Sequence, residues 1–289
     1  MNFEGFIRDI VENKWNVFGV EVYEQGKLSH AWGDTDTNLH EIYSATKGVL
    51  SCAVGIAWDE GRFDLTRSIL YYLPEEKVLK LTSDQRAVFE KITIQRLLTM
   101  SVADFPFRAE GDSYIDFALQ NGPQDPENCG FHYTNISAYL VGVALANALG
   151  RDVGSFIEER LFRPLGIDNF AYERCPEGYF YGASGLKLTV HELSRFGLLL
   201  YNRGVYDGQR IMSEEYVKTA TSPQTMNREG GYGYFIWKYR DGFSINGKWG
   251  QKCYILPKEG IIVASLSHRE EGWDDVLVSM EKNILGINE

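Results

Sequence analysis

Alternating apolar and polar residues, the pattern of half-buried strands, lie near both ends of this chain and are sparse between them. Residues 16–33, NVFGVEVYEQGKLSHAWG, predict two strands that turn at residues 24–26. After residue 230 the strand pattern returns in GYGYFIWKYR, FSINGKWGQKCYILP and GIIVASLSHR. Because each strand must pair with a neighbour, the economical arrangement is one antiparallel sheet assembled from both ends of the chain.

Helical spacing of apolar residues dominates the remaining sequence. It predicts terminal helices over residues 3–13 and 273–285, and a helix that runs from Ser44 to about Glu60. Further helices are predicted in ITIQRLLTM, TNISAYLVGVALANALG, DVGSFIEERLFRPLG and TVHELSRFGLLLYNRG. Helices therefore fill the middle of the chain and flank its two ends.

These patterns together predict a mixed α/β (α+β) fold, with an antiparallel sheet flanked by helices and a large, mainly helical insertion. The expected sheet lobe comprises residues 1–61 and 226–289, and the expected helical lobe comprises residues 62–225. A junction between two such lobes is a natural cleft, so we expect the active site there.

The composition limits the classes of function. The net charge is −11, from 40 acidic and 29 basic residues, and the charges are scattered, so we expect no nucleic-acid partner. The four cysteines form no C-x-x-C, the spacing typical of zinc sites and redox pairs. The first residues, MNFEGFIRDIVENKW, include acidic side chains, and no apolar run approaches the ~18 residues of a membrane span. The sequence therefore predicts a cytoplasmic protein with no membrane partner.

Ser44 and Lys47 occur in YSATKGV, at the start of an apolar helix, where a spacing of three places both on one helix face. A serine hydroxyl is a weak nucleophile that needs a neighbouring base, and burial can lower a lysine pKa enough to provide one. The helix N-terminus would also offer the Ser44 backbone N–H to an oxyanion. The alternative is that Ser44 only caps the helix and that Lys47 extends into solvent.

The stretch YSATKGVLSCAVGIAWDEGRFDLTRSILYYLPE resembles the active-site region of serine β-lactamase-like and penicillin-binding-protein-like hydrolases. That family includes class C β-lactamases, D-Ala-D-Ala peptidases, esterases and nylon-oligomer hydrolases. The resemblance implies a second motif, Tyr-x-Asn, which Tyr133 and Asn135 supply before a long apolar helix. It gives Tyr133 the role of general base or acid, with its pKa lowered by two ammonium groups, and gives Asn135 a contact with Lys47 or the substrate. The alternatives are a structural tyrosine and an asparagine N-cap.

The resemblance also implies a third motif, Lys- or His-x-Gly on a late strand, which Lys248, Trp249 and Gly250 supply. Lys248 would hold positive charge near the motif tyrosine and a substrate carboxylate. Gly250 would let the backbone approach the substrate, and the Gln251 N–H would be the second oxyanion donor. The alternative is that Lys248 faces solvent. The resemblance covers roughly residues 40–266.

Three departures from known motifs narrow the interpretation. Trp249 replaces the small residue that is usual in the family, and its indole would narrow the cleft, which puts β-lactam hydrolysis in doubt. HELSR at 191–195 lacks the second histidine of a zinc protease, and GASGL at 182–186 lacks the final glycine of a nucleophile elbow. We therefore expect no metal and no organic cofactor.

The resulting prediction is a serine hydrolase of small molecules, in which Ser44 forms an acyl-enzyme and Lys47 and Tyr133 transfer protons. The predicted substrate-binding residues are Asn135, Lys248, Trp249, Gly250 and Gln251. The bond cleaved would be an ester, an amide or a β-lactam, with an esterase or amidase favoured. The alternative is a slow or inactive relative that binds ligands as a sensor. The acyl group, the leaving group and the oligomeric state stay open.

Overall fold

The computed structural model describes residues 1–287. Its strands are β1 (Val17–Glu24), β2 (Lys27–Gly33), β3 (His40–Glu41), β4 (Lys187–Leu188), β5 (Val205–Tyr206), β6 (Gln209–Arg210), β7 (Trp237–Tyr239), β8 (Gly242–Asn246), β9 (Lys252–Leu256) and β10 (Ile261–Ser267). Its α-helices are α1 (Phe3–Glu12), α2 (Thr46–Asp59), α3 (Glu75–Val78), α4 (Ser83–Phe89), α5 (Ile94–Leu98), α6 (Tyr114–Gln120), α7 (Asn135–Leu149), α8 (Val153–Ile157), α9 (Val190–Tyr201), α10 (Glu214–Thr221) and α11 (Trp273–Asn283).

The central element is a six-stranded antiparallel sheet with strand order β2-β1-β10-β9-β8-β7. Strand β1, from the start of the chain, pairs with β10, from its end, so that Val20 lies opposite Ser265 and Val22 lies opposite Val263. The predicted sheet assembled from both ends of the chain is therefore confirmed. The predicted strand in GYGYFIWKYR is much shorter than expected, because only the residues of β7 join the sheet.

The sheet is covered on both faces, as the alternation along its strands requires. Ile262 and Ala264 on β10 point into the main hydrophobic core, whereas Val263 between them packs in a second core with the terminal helices. That second core includes Phe6 of α1 and Met280 of α11, which are both fully buried. The helices predicted at the two ends of the chain thus cover one face together.

Packing does not follow the predicted lobe boundaries at 61 and 225. Helix α9 lies within the segment predicted to be the helical lobe, yet it packs on β1, β9 and β10. Gly197 permits this close approach, since a Cβ at that position would lie 2.9 Å from the Cys253 Sγ. Helix α2, from the predicted sheet lobe, packs instead on α7, α8 and α10. Apolar helices pack where they bury the most surface, regardless of their place in the sequence.

Over residues 1–287, no helix is by itself long and apolar enough to cross a membrane. One pair of helical segments, Asn135–Leu149 and Val153–Leu165, reaches the required length and composition together, but it is bent by 78°. The first of these segments is almost entirely buried, which is typical of a core helix.

A buried ion pair ties β1 to α9. Glu21 is 2% exposed, and its carboxylate contacts the Nδ1 of His191 at 3.0 Å and accepts a hydrogen bond from the Tyr23 hydroxyl at 3.0 Å. This hydrogen bond to Glu21 raises the pKa of His191, against the opposing effect of burial. Burial raises the pKa of Glu21, but the contacts with His191 outweigh it, so that the pKa is lowered overall.

We predict that His191→Leu lowers the free energy of unfolding by about 1.5–3 kcal/mol, because the Glu21 carboxylate loses a charge-assisted hydrogen bond. The loss should be largest near pH 6. The raised His191 pKa stabilises the fold below the unfolded histidine pKa of ~6.5, and this contribution is lost as the pH rises through the folded value. The Glu21 contribution is lost as the pH falls through its lowered pKa. Urea denaturation at pH 5, 6 and 9 measures the loss in the free energy of unfolding. The control is His191→Asn, which keeps a hydrogen-bond donor near the position of Nδ1. Equal losses at all three pH values would contradict it.

Candidate active site

Ser44 lies in a single 3-10 turn, Tyr43–Ala45, which directly precedes α2. The helix begins at Thr46, two residues later than predicted, so Ser44 does not cap it and the N-cap alternative is wrong. Tyr43, immediately before the serine, has a φ of 48°, in the left-handed region that non-glycine residues seldom occupy. Such strain persists only where the surrounding structure enforces it, and it is common at functional sites.

Lys47, in the first turn of α2, is 1% exposed, so the alternative in which it extends into solvent is also wrong. Its Nζ lies 3.0 Å from the Ser44 Oγ, 2.7 Å from the Asn135 Oδ1 and 2.8 Å from the backbone oxygen of Ala183. Three separate segments of the chain therefore meet at one amine.

Burial lowers the pKa of Lys47 to about 7, so much of the amine is neutral at neutral pH. A neutral amine has two N–H groups and one lone pair. The Asn135 Oδ1 and the Ala183 carbonyl oxygen can only accept, so they take the two N–H groups. The lone pair is left for the Ser44 hydroxyl, which then donates its proton to Lys47. A serine nucleophile and its general base would require an arrangement of this kind.

Tyr133 precedes α7 and is half-buried, with its ring centroid 5.0 Å from the Lys47 Nζ. Burial raises the pKa of Tyr133 to about 12, and an interaction of its hydroxyl with Ser44 opposes that rise only in part. The expected lowering of this pKa is therefore not found. A phenol with a raised pKa keeps its proton at neutral pH, so Tyr133 is suited to donate a proton rather than to accept one.

Asn135 is the first residue of α7, and its side chain accepts from Lys47. The helix is capped by Thr134 instead, whose Oγ1 accepts from the Ile136 N–H at 3.1 Å. The capping alternative for Asn135 is thus wrong, and the contact with Lys47 expected from the resemblance is present.

Gly250 and Gln251 form the turn that leads into β9. Gly250 has a φ of 93°, and a Cβ there would lie 2.3 Å from the Ser267 Oγ, so no other residue fits. The Gln251 side chain is buried, and its Oε1 accepts from the Ser267 N–H at 3.0 Å, which fixes the turn to the end of β10. Within residues 1–287, neither the Gln251 nor the Ser44 backbone N–H donates to another residue, so both are free for a ligand oxygen.

The side-chain positions of Lys248 and Trp249 differ most from those that the sequence predicts. The Lys248 side chain is exposed, and its Nζ lies 3.8 Å from the centroid of the Trp249 ring rather than beside Tyr133. The solvent-facing alternative is therefore correct for Lys248. Trp249 has a φ of 63°, and its ring packs edge-on against Tyr43 at 5.0 Å between centroids. The indole thus lies directly beside the segment that carries Ser44.

These residues line one cavity of about 450 Å³, within the range of small-molecule sites. Its walls include every predicted site residue except Lys47, which is buried behind Ser44: Ser44, Tyr133, Asn135, Lys248, Trp249, Gly250 and Gln251. Aromatic side chains that complete the walls are Phe107, Trp237 and Trp273.

The polar residues of this cavity that sequence reasoning missed include Ser184, Glu229, Asn246 and Lys252. A lysine that opens an otherwise apolar central strand was the available signal for Lys252. Glu229 lies in a loop and carries no pattern that would mark it.

The two rejected motifs have structural roles. The segment GASGL supplies the Ala183 carbonyl that binds Lys47, and the Ser184 hydroxyl donates to the Glu41 carboxylate at 3.1 Å. In HELSR, His191 pairs with Glu21 as described above. Among residues 1–287, no group of three His, Cys, Asp or Glu side chains is arranged to hold a metal ion.

Known proteins share this fold and part of the sequence. The 6-aminohexanoate-dimer hydrolase of Paenarthrobacter ureafaciens is 21% identical over 272 residues, which are 84% of this chain and 68% of that protein. The octameric penicillin-binding protein homologue from Pyrococcus abyssi superposes with a TM-score of 0.73 at 20% identity, over 99% of this chain and 77% of the other. The penicillin-binding protein from Bacillus halodurans superposes with a TM-score of 0.74 at 16% identity, over 96% and 99% of the two chains.

The family model described as Beta-lactamase matches residues 7–282, which are nearly all of the chain. This match includes every element of the six-stranded sheet and the whole cavity around Ser44. The fold, the neighbours of that fold and the sequence match agree, and the chain belongs to the Beta-lactamase family of hydrolases.

Proposed function

We propose that this protein is a serine hydrolase that forms an acyl-enzyme on Ser44 and cleaves an ester, amide or β-lactam bond of a small substrate. The observation that carries the proposal is the set of contacts of Lys47. Two oxygen acceptors occupy its N–H groups, and its third position faces the Ser44 Oγ at 3.0 Å. Because burial lowers the pKa of Lys47 to about 7, part of this amine is neutral, and its lone pair at the third position can accept the Ser44 proton.

In the proposed reaction, the Ser44 Oγ attacks the substrate carbonyl carbon while Lys47 accepts the hydroxyl proton. The free N–H groups of Ser44 and Gln251 hold the resulting oxyanion. Tyr133 then donates a proton to the leaving oxygen or nitrogen as the carbonyl bond re-forms, and the proton held on Lys47 replaces it. Water next attacks the acyl carbon while neutral Lys47 accepts a proton from it. Lys47 then returns that proton to the Ser44 Oγ as the bond between the serine and the acyl group breaks.

An amide bond is the favoured target among the three. An amine leaves only when it is protonated, and Tyr133, with its pKa raised to about 12, holds a proton throughout the neutral range. The relative named 6-aminohexanoate-dimer hydrolase gives further support for this choice. The Trp249 indole, which lies beside Tyr43, argues against bulky bicyclic substrates.

A second candidate function is a slow or inactive relative that binds ligands as a sensor. The observation that favours it is also Trp249, because a rigid indole next to the nucleophile restricts how a substrate carbonyl can reach Ser44. Acylation distinguishes the two functions, since a sensor that lacks the chemistry does not form an adduct.

We predict that a fluorophosphonate and a p-nitrophenyl ester each add one acyl or phosphonyl group to the wild-type protein, as measured by intact-mass spectrometry. Ser44→Ala should form no adduct, because the attacking oxygen is removed. Ser51→Ala removes a buried serine of α2 whose hydroxyl is hydrogen-bonded to that of Tyr216, so it is the matched control and should still react. An adduct that persists in Ser44→Ala, or none in the wild type, would sink the acyl-enzyme proposal.

We predict that kcat/KM rises with pH through about 7, the pKa to which burial lowers Lys47, and then stays level. Below that value Lys47 is protonated and has no lone pair for the serine proton. No fall is expected up to pH 10, because the Tyr133 pKa is raised to about 12. Initial rates with a p-nitrophenyl ester from pH 5.5 to 10 provide the profile.

Two variants test this assignment. Lys47→Arg, which stays protonated, should lower kcat/KM by about 10²–10⁴-fold at every pH. Tyr133→Phe should lower it by a similar factor with a 4-nitroanilide, whose leaving nitrogen needs a proton, while the rising limb near pH 7 stays in place. A limb that disappears in Tyr133→Phe would assign the base to Tyr133. A wild-type rate that falls as the pH rises through 7 would mean that protonated Lys47 is the active form, which excludes Lys47 as the base.

We predict that Trp249→Gly shifts selectivity toward long acyl groups by about tenfold or more, because it opens the cavity beside Ser44. Glycine also tolerates the left-handed backbone at this position, where φ is 63°, so the substitution introduces no backbone strain. The measurement is the ratio of kcat/KM for p-nitrophenyl octanoate to that for the acetate. Trp249→Phe, which keeps an aromatic wall, should change the ratio much less, and equal ratios in all three proteins would contradict the role of the indole.

A further inference from the structure

Lys252 is a cavity residue for which the proposed mechanism has no use. It opens β9, directly after the oxyanion donor Gln251, and its side chain is half-buried in the cavity wall. Its Nζ lies 4.8 Å from the centroid of the Tyr254 ring, which packs against the stem. Over the described residues, no hydrogen-bond acceptor or carboxylate binds this ammonium directly.

The carboxylates near Lys252 do not neutralise it. Glu281 interacts with it only at longer range, since the Glu281 Oε1 already accepts from the hydroxyls of Tyr239 at 2.9 Å and Tyr254 at 3.0 Å. Glu229 also acts at longer range, from an exposed position at the cavity edge. Burial lowers the pKa of Lys252 to about 8, so most of the group is still an ammonium at neutral pH.

Asn246 provides a second polar group without a partner at the same place. It lies directly opposite Lys252 in the pairing of β8 with β9, so both side chains project from the same face of the sheet. Its Oδ1 is buried and has no hydrogen-bond partner within residues 1–287, and the residue lines the cavity. Rotation of the amide exchanges its oxygen and nitrogen, so the group can present its NH₂ to an anion.

We propose that Lys252 and Asn246 form an anion subsite that binds a carboxylate of the substrate, a proposal that rests on the hydrolase function stated above. The Lys252 ammonium and the Asn246 amide are partly withdrawn from water and lack internal hydrogen-bond partners, and the contact of Lys252 with the Tyr254 ring does not replace those bonds, so their burial costs free energy. A carboxylate satisfies both, with one oxygen on each group and a charge-assisted hydrogen bond to Lys252. The aromatic walls of Trp237 and Trp273 provide the apolar path between this subsite and Ser44.

Lys248 is a weaker candidate for the same task. Its side chain is exposed, and its Nζ already lies over the Trp249 ring. A carboxylate bound there would remain largely hydrated, so it would contribute little to selectivity. The anion subsite therefore belongs to β8 and β9 and not to the turn between them.

The test compares charged and neutral substrates of equal length. On the acyl side these are the mono-4-nitrophenyl ester of glutaric acid and 4-nitrophenyl pentanoate. On the leaving-group side they are 4-acetoxybenzoate and 4-acetoxybenzamide. The wild type should favour the charged member by about tenfold or more in kcat/KM on one of the two sides, which identifies the side that faces Lys252.

Variants connect the preference to the subsite. Lys252→Met should lower the charged-to-neutral ratio to about one, and Asn246→Asp should also lower it, because a carboxylate then occupies the place of the ligand. Glu229→Gln should raise the ratio. Lys258→Met removes the same charge from an exposed ion pair with Asp241 and should leave the ratio unchanged. A wild type without preference on either side, or a preference that survives in Lys252→Met, overturns the proposal.

Binding measurements separate this proposal from the hydrolase function. In a Ser44→Ala protein, calorimetry compares 4-phenylbutyrate with 4-phenylbutyramide, for which no reaction at Ser44 is needed. Tighter binding of the carboxylate, lost on adding Lys252→Met, supports the anion subsite even if the wild type hydrolyses none of the esters. Equal binding of the acid and the amide counts against the subsite, even if the wild type forms an acyl-enzyme.

Discussion

The position of the other residues in the candidate active site depends on the buried amine of Lys47. The Lys47 Nζ is held by the Ser44 hydroxyl, the Asn135 amide and the Ala183 carbonyl, which come from three distant parts of the sequence. An ammonium in that position would have lost its hydration, and the resulting penalty favours the neutral form. The start of α2, the start of α7 and the loop before β4 must therefore dock correctly before Lys47 can act as the proposed base of Ser44.

Burial also moves apart the pKa values of the proposed acid, Tyr133, and the proposed base, Lys47. Burial disfavours the charged form of each group, so it lowers the pKa of Lys47 to about 7 and raises that of Tyr133 to about 12. A lysine that is readily neutral and a tyrosine that stays neutral are complementary partners around one hydroxyl. The sequence interpretation assumed that two ammonium groups would lower the tyrosine pKa. Lys248 lies over Trp249, Lys47 is in part neutral, and the expected lowering of the Tyr133 pKa by ammonium groups is not found.

Elements that depend on a repeating pattern of residues can be predicted from the sequence, whereas side-chain positions that depend on the conformation of a single turn cannot. The sheet and the long helices follow from repeating patterns, and the spacing of Ser44 and Lys47 follows from helix geometry. The orientation of Lys248 does not follow from any such pattern. It depends on the left-handed backbone of the neighbouring Trp249, which no pattern of apolar residues encodes. The placement of α9 on the sheet was missed for a related reason. A helix pattern predicts an apolar face but not the surface that the face will cover. Here Gly197, which has no side chain, allows α9 to lie close to the sheet.

The charge distribution constrains how a carboxylate substrate would reach the cavity. The chain carries a net charge of −11, so its overall field repels anions at distances beyond the first contacts. Within the cavity two lysines face one glutamate, and Lys252 lies where water is partly excluded. Interactions between exposed charges are screened within ~10 Å at moderate ionic strength, whereas contacts in a partly buried site are screened much less. Lys252 and Asn246 must therefore select an anion through short-range hydrogen bonds, after the substrate has reached the cavity. Added salt should weaken the long-range repulsion between protein and substrate more than it weakens these hydrogen bonds.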